Sequence, residues 1–371
     1  MKVFNHLVEE VVKPDFCMGC AACVAACPVK CLELKKELPA LTKGCINCGI
    51  CYGVCPEIVG PKTLQMKIFK GQPQDKLLGT YTWVLSVESS NIKIRTKCQD
   101  GGAVTALIGS LLEDGYIDGA AVTGTAEEPW RPVARVATNT EELIECAGNK
   151  YSRSPVFLGL RDAVDLYYCK RVAVVGLPCQ ILAAWRMKFS DPTNRHLADA
   201  IKLRIGLFCG GVVGYDRFLK NIVDRQLHTP LAEVAKFDIK DNRFIIYRRR
   251  KPKRELALSA VKRYTDLPCK ICTDFAAELA DISVGAAGSP PGRSTVIIRT
   301  PVGEEAIDTA KKFRKFNAIE LSRIKPGIEE VRREAEAKKK MAAKELEIMR
   351  RMNKLAPVWL VERPGASGKG G

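Results

Sequence analysis

The run Cys17-x2-Cys20-x2-Cys23-x3-Cys27-Pro28 recurs, displaced by 28 residues, as Cys45-x2-Cys48-x2-Cys51-x3-Cys55-Pro56. No other feature restricts the fold of this chain so tightly. Thiolates are soft ligands, and four of them hold a 4Fe–4S cube. Three cysteines at x2-x2 spacing wrap one cube, while the fourth, followed by proline, is carried away from it and reaches a second cube. The pattern therefore predicts one cluster on Cys17, Cys20, Cys23 and Cys55, and another on Cys45, Cys48, Cys51 and Cys27. Structural zinc usually takes two Cys-x2-Cys pairs per ion and matches this spacing poorly. Cys31 falls outside the pattern and is expected as a small core residue.

Nine of the sixteen cysteines lie in residues 1–75, a segment that ends in the linker-like Lys70-Gly71-Gln72-Pro73-Gln74-Asp75. We expect a two-cluster ferredoxin-type domain there, an α/β domain over 76–325, and a charged helix with a flexible tail over 326–371. A chain of 371 residues suits two to three domains at about 150 residues each. From Trp83 onward, β-branched runs at Ala120–Thr123, Arg171–Val175, Lys202–Phe208, Phe244–Tyr247, Asp281–Val284 and Thr295–Ile298 predict strands. Helical patterns lie between them at Gly102–Glu113, Glu141–Ala147, Val156–Tyr168, Gln180–Phe189 and Asp216–Gln226. This alternation predicts an α/β fold with a mixed sheet. Gly327–Asn353, rich in Glu, Lys, Arg, Ala and Met, reads as one exposed or docking helix, and the ending Arg363–Gly371 as a disordered tail.

Cys179 and Cys209 each end a predicted buried strand, and Cys269 and Cys272 form an isolated Cys-x2-Cys. Ligands gather at the carboxyl ends of strands in α/β sheets, so these four could converge on a third cluster or could be ordinary buried cysteines. Cys98, Cys146 and Cys169 lack such company and are expected to be structural. Gln99-Asp100-Gly101-Gly102 precedes a predicted helix whose amides could face a phosphate. Gly210-Gly211-x-x-Gly214 lies similarly placed. Neither is a dinucleotide fingerprint or a P-loop, so a nicotinamide or ATP enzyme has no motif behind it.

The ordered strings QDGGAVTALI, NKYSRSP, VAVVGLPCQ, IGLFC, PCKIC and ADISVGAAGSP, with KPG before the last helix, carry a resemblance. From about Leu78 to Leu355 the chain resembles the beta subunit of coenzyme F420-reducing hydrogenase and its relatives. The resemblance implies an α/β domain that binds FAD and one 4Fe–4S cluster and exchanges hydride with the deazaflavin coenzyme. Carried over by position, the cluster ligands would be Cys179, Cys209, Cys269 and Cys272. The FAD-side residues would be Asp100, Gly101, Gly102, Thr105, Lys150, Tyr151, Ser152, Gln180, Asp281, Gly285 and Gly288. Joined to a two-cluster ferredoxin, the domain is similar to the electron-input subunits of archaeal reduced-F420 dehydrogenase, which serve a membrane-bound, complex I-like enzyme. Two departures stand out: Cys209-Gly210-Gly211 where relatives often have Cys-Met-Glu, and Pro290-Pro291-Gly292-Arg293 where they often have Pro-Asp-Gly-Trp.

The function this implies is oxidation of reduced F420, with hydride passing to FAD and single electrons passing through three 4Fe–4S clusters to a partner complex. Two alternatives stay open. One is the reverse reaction in a hydrogenase, formate dehydrogenase or heterodisulfide-reducing assembly. The other is an electron relay without its own substrate site. No side-chain acid–base catalyst is expected: His6, His196 and His228, the three histidines, lie in no motif. The net charge of +17 is concentrated, with nine Lys/Arg against one Glu in 243–263 and fifteen against seven in 310–354. A basic rim of this kind would concentrate an anionic coenzyme or partner. No zinc finger or RNA-reading aromatic motif accompanies it, so nucleic acid is not expected. The N-terminus lacks a signal-peptide pattern, and no apolar run reaches the roughly 20 residues of a membrane span. The expected location is the cytoplasm, at its membrane face only through a partner.

Overall fold

The run 172–176 is apolar throughout and offers water no polar side, so as a strand it must be covered on both faces. The computed structural model describes residues 1–72, 74–190 and 195–360. The expected tail Arg363–Gly371 lies outside them, as does Pro73 of the linker stretch. The cysteine-rich segment contributes one antiparallel hairpin, β1 (Leu32–Lys35) and β2 (Leu38–Leu41). Then come β3 (Trp83–Ser89), β4 (Gly119–Thr125), β5 (Pro132–Ala137), β6 (Val172–Gly176) and β7 (Ile201–Leu207). The next three, β8 (Val234–Lys240), β9 (Arg243–Arg248) and β10 (Lys251–Ala257), form an antiparallel sheet of their own. The last are β11 (Ile282–Gly285), β12 (Ser294–Ile298) and β13 (Phe316–Glu320).

The main sheet has eight strands in the order β13-β3-β12-β11-β7-β6-β4-β5. Strands β11, β7, β6 and β4 are mutually parallel. Because β3 and β11 are both antiparallel to β12, β3 points the same way as that parallel group. The expected mixed sheet is therefore present. Its carboxyl edge gathers the loops after β3, β4, β6, β7 and β11. One expected strand belongs elsewhere: Phe244–Tyr247 is β9, in the small sheet. There Phe244 and Ile246 pack on Tyr215, Phe218 and Phe237 in a separate core, and the apolar run alone could not say which sheet it joins.

Alternation along the central strands covers both faces, as the period of two requires. Ala120, Val122, Ala173, Val175, Leu203 and Ile205 face helices Ala103–Asp114 and Pro301–Lys311. Ala121, Val172 and Val174 face helices Val156–Asp165 and Pro178–Phe189 on the other side. Ala22, Ala25, Ala26, Ile50 and Val54 of the cysteine-rich segment join this second core. The Phe157 amide donates to the Cys20 carbonyl at 3.3 Å. The segment is thus packed onto a helical layer of the sheet, beyond its covalent tether.

Helix Ile328–Arg351 has 24 residues, a length of about 36 Å at the usual rise. Val331 and Ala335 pack with Leu78, Ala276 and Ile297 near the sheet. Met349, at the other end, enters the core that holds Phe4, Leu7, Phe16 and Ile271. This helix docks along both parts of the molecule. Among the described residues no helix is long and apolar enough to cross a membrane.

Candidate functional site

The two cysteine loops repeat in geometry as well as in sequence. Ala21 (φ 66°) and Gly49 (φ 76°) are left-handed and start the one-turn helices Ala22–Ala25 and Ile50–Gly53. The amide two residues after each first cysteine points back at its sulfur: Gly19 N to Cys17 Sγ at 3.5 Å, and Asn47 N to Cys45 Sγ at 3.4 Å. At Gly49 an added Cβ would stand 2.7 Å from the Lys2 carbonyl oxygen, so this turn has room only for glycine.

Cys45, Cys48 and Cys51 of the second loop line one chamber with Cys27 of the first, enclosing about 310 Å³ together with Phe4, Leu32 and Ile46. Cys31, expected only as core packing, is buried and also lines this chamber, its Sγ 3.5 Å from Cys27 Sγ. Cys20 and Cys55 lie close enough to Cys17 for their charges to interact, and Cys23 lies within the fields of Cys17, Cys20 and Cys51. Cys27 is therefore placed with the second loop's first three cysteines, and Cys55 with Cys17 and Cys20 of the first.

The remaining four expected ligands also come together. Cys179 lies in the first turn of helix Pro178–Phe189 after β6, Cys209 follows β7, Cys269 lies within the short helix Leu267–Ile271, and Cys272 caps its end. All four line a second cavity of about 730 Å³ with Met18, Glu57, Lys338 and Trp359. Met18 and Glu57 belong to the cysteine loops, and Cys179 lies within the field of Cys20. The three sets thus form a row, with Cys17, Cys20, Cys23 and Cys55 in the middle.

Burial pushes the Cys20 thiol up to about 12, the Cys51 thiol up to about 11, and those of Cys23, Cys55, Cys179, Cys269 and Cys272 up as well. Nucleophilic cysteines show the opposite shift, so nothing marks these thiols as activated nucleophiles. Burial also raises the Glu57 carboxyl to about 8. Among the described residues no three His, Cys, Asp or Glu side chains close on one point as a single ion would require.

The expected flavin-side residues divide into two groups. Asp100, Gly101, Gly102 and Thr105 lie where the loop after β3 enters helix Ala103–Asp114, at the sheet's carboxyl edge. Gly102 (φ 71°) caps that helix without a side chain, so its first amides have no side-chain acceptor at the cap. The Gly101 amide donates to Ser294 Oγ at 3.1 Å. Asn149 N donates to Gln99 Oε1 at 3.3 Å, tying this loop to Tyr151 and Ser152. Burial raises the Asp100 carboxyl while Lys236 opposes that rise. The Ser152 hydroxyl is buried without a partner.

The other expected residues already have protein partners. Lys150 Nζ donates to the carbonyls of Cys146, Ala147 and Gly148 at 2.5, 3.0 and 2.8 Å, and burial lowers it to about 8. Gln180 accepts from Leu177 N at 2.7 Å and donates to Ser154 O at 2.8 Å. Asp281, at the start of β11 and away from the carboxyl edge, accepts from Arg204 N at 2.8 Å and Thr300 Oγ1 at 2.7 Å. Gly285 allows Phe208 to pack, since an added Cβ would meet that ring at 2.1 Å, and Gly288 N donates to Glu330 Oε2 at 2.8 Å. Arg293 is held by Ser86, Glu88 and Asn317.

Gly101→Ala tests the loop. Its Cβ would lie 2.3 Å from the Val87 carbonyl oxygen and 2.6 Å from Ser294 N, both backbone atoms that cannot rotate away. A loss of about 1–3 kcal/mol of stability is expected, read as a lower denaturation midpoint.

Two residues that line these cavities escaped sequence reasoning. Cys31 carried no signal beyond being a cysteine near the repeat. Lys338 did carry one: it shares the inward face of its helix with Val331, Ala335, Ala342 and Met349, where a lysine interrupts an apolar stripe.

Two family models, for the amino-terminal and carboxyl-terminal parts of the coenzyme F420 hydrogenase/dehydrogenase beta subunit, match the chain. The first covers residues 84–161 and the second residues 169–324. The chain is 35% identical to coenzyme F420 hydrogenase subunit beta of Methanosarcina barkeri, over 71% of this chain and 91% of that one. It is 29% identical to one of the subunits of F(420)H(2) dehydrogenase of Methanosarcina mazei, over 90% and 92% respectively. Among solved structures, a chain of the F420-reducing [NiFe] hydrogenase complex from Methanosarcina barkeri superposes with a TM-score of 0.73 at 33% identity, over 77% of this chain and 99% of that chain.

Proposed function

Because the chain belongs to the family of coenzyme F420 hydrogenase/dehydrogenase beta subunits, we propose that it is an FAD and iron–sulfur oxidoreductase subunit that oxidises reduced coenzyme F420. Single electrons would leave through three 4Fe–4S clusters to other subunits of a larger complex, a membrane-bound complex I-like enzyme being the partner we favour. The observation that carries this reading is the cavity lined at once by Cys179, Cys209, Cys269 and Cys272 and by Met18 and Glu57 of the double cysteine segment. It puts the third cysteine set next to the first, as an electron path needs.

FAD, when bound, would supply the change from paired electrons carried as hydride to single electrons. The chain's own part is to bind and orient. The free amides of helix Ala103–Asp114 would receive a phosphate at its positive end, with Gly101 and Gly102 allowing close approach. Asp100, Thr105, Tyr151 and the unpartnered Ser152 hydroxyl complete this side. Lys150, Gln180, Asp281, Gly285 and Gly288 would act behind it, holding the loops in place through the contacts given above. We assign residues 1–75 to the two-cluster part and 76–325 to the flavin and third-cluster part.

The full chain, purified without oxygen, is expected to be brown, with FAD and about twelve iron atoms per chain, at four per cube. Reduced F420 should bleach the flavin and drive reduction of a one-electron dye. Cluster-replete, flavin-bearing protein inert to reduced F420 would sink the reading. The engaged guanidinium of Arg293 favours one rival, an electron relay without a coenzyme pocket. That rival predicts no change in the flavin spectrum when F420 is titrated in.

A further inference from the structure

We propose that Lys338 is the counter-charge of the third cysteine set, a positioning and potential-setting residue whose ammonium faces the cluster on Cys179, Cys209, Cys269 and Cys272 and raises its reduction potential. The inference rests on the three-cluster reading above. It concerns a residue outside both segments that the family models match, 84–161 and 169–324.

Lys338 is 4% exposed, on the inward face of helix Ile328–Arg351. Its Nζ donates to the Cys209 carbonyl at 2.6 Å, and its side chain lines the same cavity as the four cysteines. An ammonium has three donors, and among the described residues this carbonyl is the one acceptor within hydrogen-bond distance. No carboxylate oxygen of a described residue lies within 4.0 Å of it; Asp274, whose charge does reach it, is shared with Arg299 and Lys339. Its neighbours on the helix behave differently: Lys339 pairs with Glu278 at 2.6 Å, and Lys340 pairs with Glu336 at 2.8 Å.

A buried cation with no carboxylate in contact and only a shared one nearby is poorly compensated, and an anion in the cavity would complete the site. A cube with four thiolates is such an anion, and it becomes more negative on reduction. A nearby fixed positive charge therefore stabilises the reduced form more than the oxidised one. Hydrogen bonds to the sulfurs, net charge and solvent exposure are the levers that set cluster potentials, and Lys338 supplies the second. Its bond to Cys209 O also fixes the loop after β7 against the helix.

The test is a redox-poised electron paramagnetic resonance titration of the oxygen-free full chain, with iron counted on the same samples. In Lys338→Met the iron content should equal that of the wild type, and one of three cluster signals should move to lower potential while two stay. Lys338→Arg should keep all three potentials. Full iron with three unmoved potentials in Lys338→Met would overturn the proposal. If Lys338→Met loses that cluster's iron, Lys338→Gln replaces it. Loss from both neutral variants but not from Lys338→Arg upholds the need for charge, and loss from all three marks a packing role and overturns it. A wild-type chain with only about eight iron atoms would instead defeat the three-cluster reading itself.

Discussion

On the proposed reading, Cys269→Ser is expected to leave about eight iron atoms per chain where about twelve are expected in the native protein, and to uncouple the flavin from the exit path. Cys269 is buried between the other members of its set, with the Val212 amide 3.5 Å from its sulfur. Serine keeps the volume but offers a hard, poorly ionised oxygen where a soft thiolate is needed. Losing an outer-shell partner alone commonly costs about 10–100-fold in metal affinity or activity, so losing a ligand should cost dye reduction at least about 100-fold. Bleaching of the flavin by reduced F420 in a single turnover should survive, because the residues around Gly101 are untouched. Unchanged iron, or unchanged dye reduction, would remove Cys269 from the path.

The second large effect concerns stability. Arg299, at the end of β12, is 1% exposed. Its guanidinium donates to Ser283 Oγ at 2.7 Å and to the carbonyls of Leu78, Thr80 and Ala276 at 2.7, 2.9 and 3.0 Å. Burial lowers its pKa to about 10, with Asp274 and Glu278 pulling the other way, so the cation persists at neutral pH. Arg299→Met would leave three buried carbonyls without this donor and remove a positive charge felt by Asp274 and Glu278. Breaking a buried charged network in this way costs about 3–5 kcal/mol. For a domain of this size the thermal midpoint should fall by roughly 6–20 °C, measured by circular dichroism. A shift of a degree or two would mean that water replaces the guanidinium.

How much can be read in advance differs by kind of residue. The cysteine spacing is a local code, and it predicts the grouping of Cys27 with Cys45, Cys48 and Cys51, because a proline after Cys27 forbids the short return. The central strands are legible for a similar reason: 172–176 and 201–207 are apolar enough to need cover on both faces. Their meeting point is less so. That Cys209 and Cys269 share a wall depends on strand order, which periodicity does not encode; the family resemblance supplies the grouping. Phe244–Tyr247 is legible as a strand, but its sheet is not, since its partners β8 and β10 are polar on their outer sides. Gln180 and Asp281 are on the flavin-side list only through the resemblance, and in the fold they accept from Leu177 N, Arg204 N and Thr300 Oγ1, contacts that periodicity does not announce. Lys338 is hidden by composition: in a helix crowded with lysines, only the spacing of Val331, Ala335, Ala342 and Met349 marks it as inward.

The exchange of fourth cysteines between the loops bears on how such a protein is built. Cys27 completes the wall shared by Cys45, Cys48 and Cys51, and Cys55 sits with Cys17 and Cys20. Neither set is drawn from one loop alone. Biogenesis would then be ordered: a nascent polypeptide halted between residues 51 and 55 carries all of Cys27, Cys45, Cys48 and Cys51 but still lacks the Cys55 that the first loop needs.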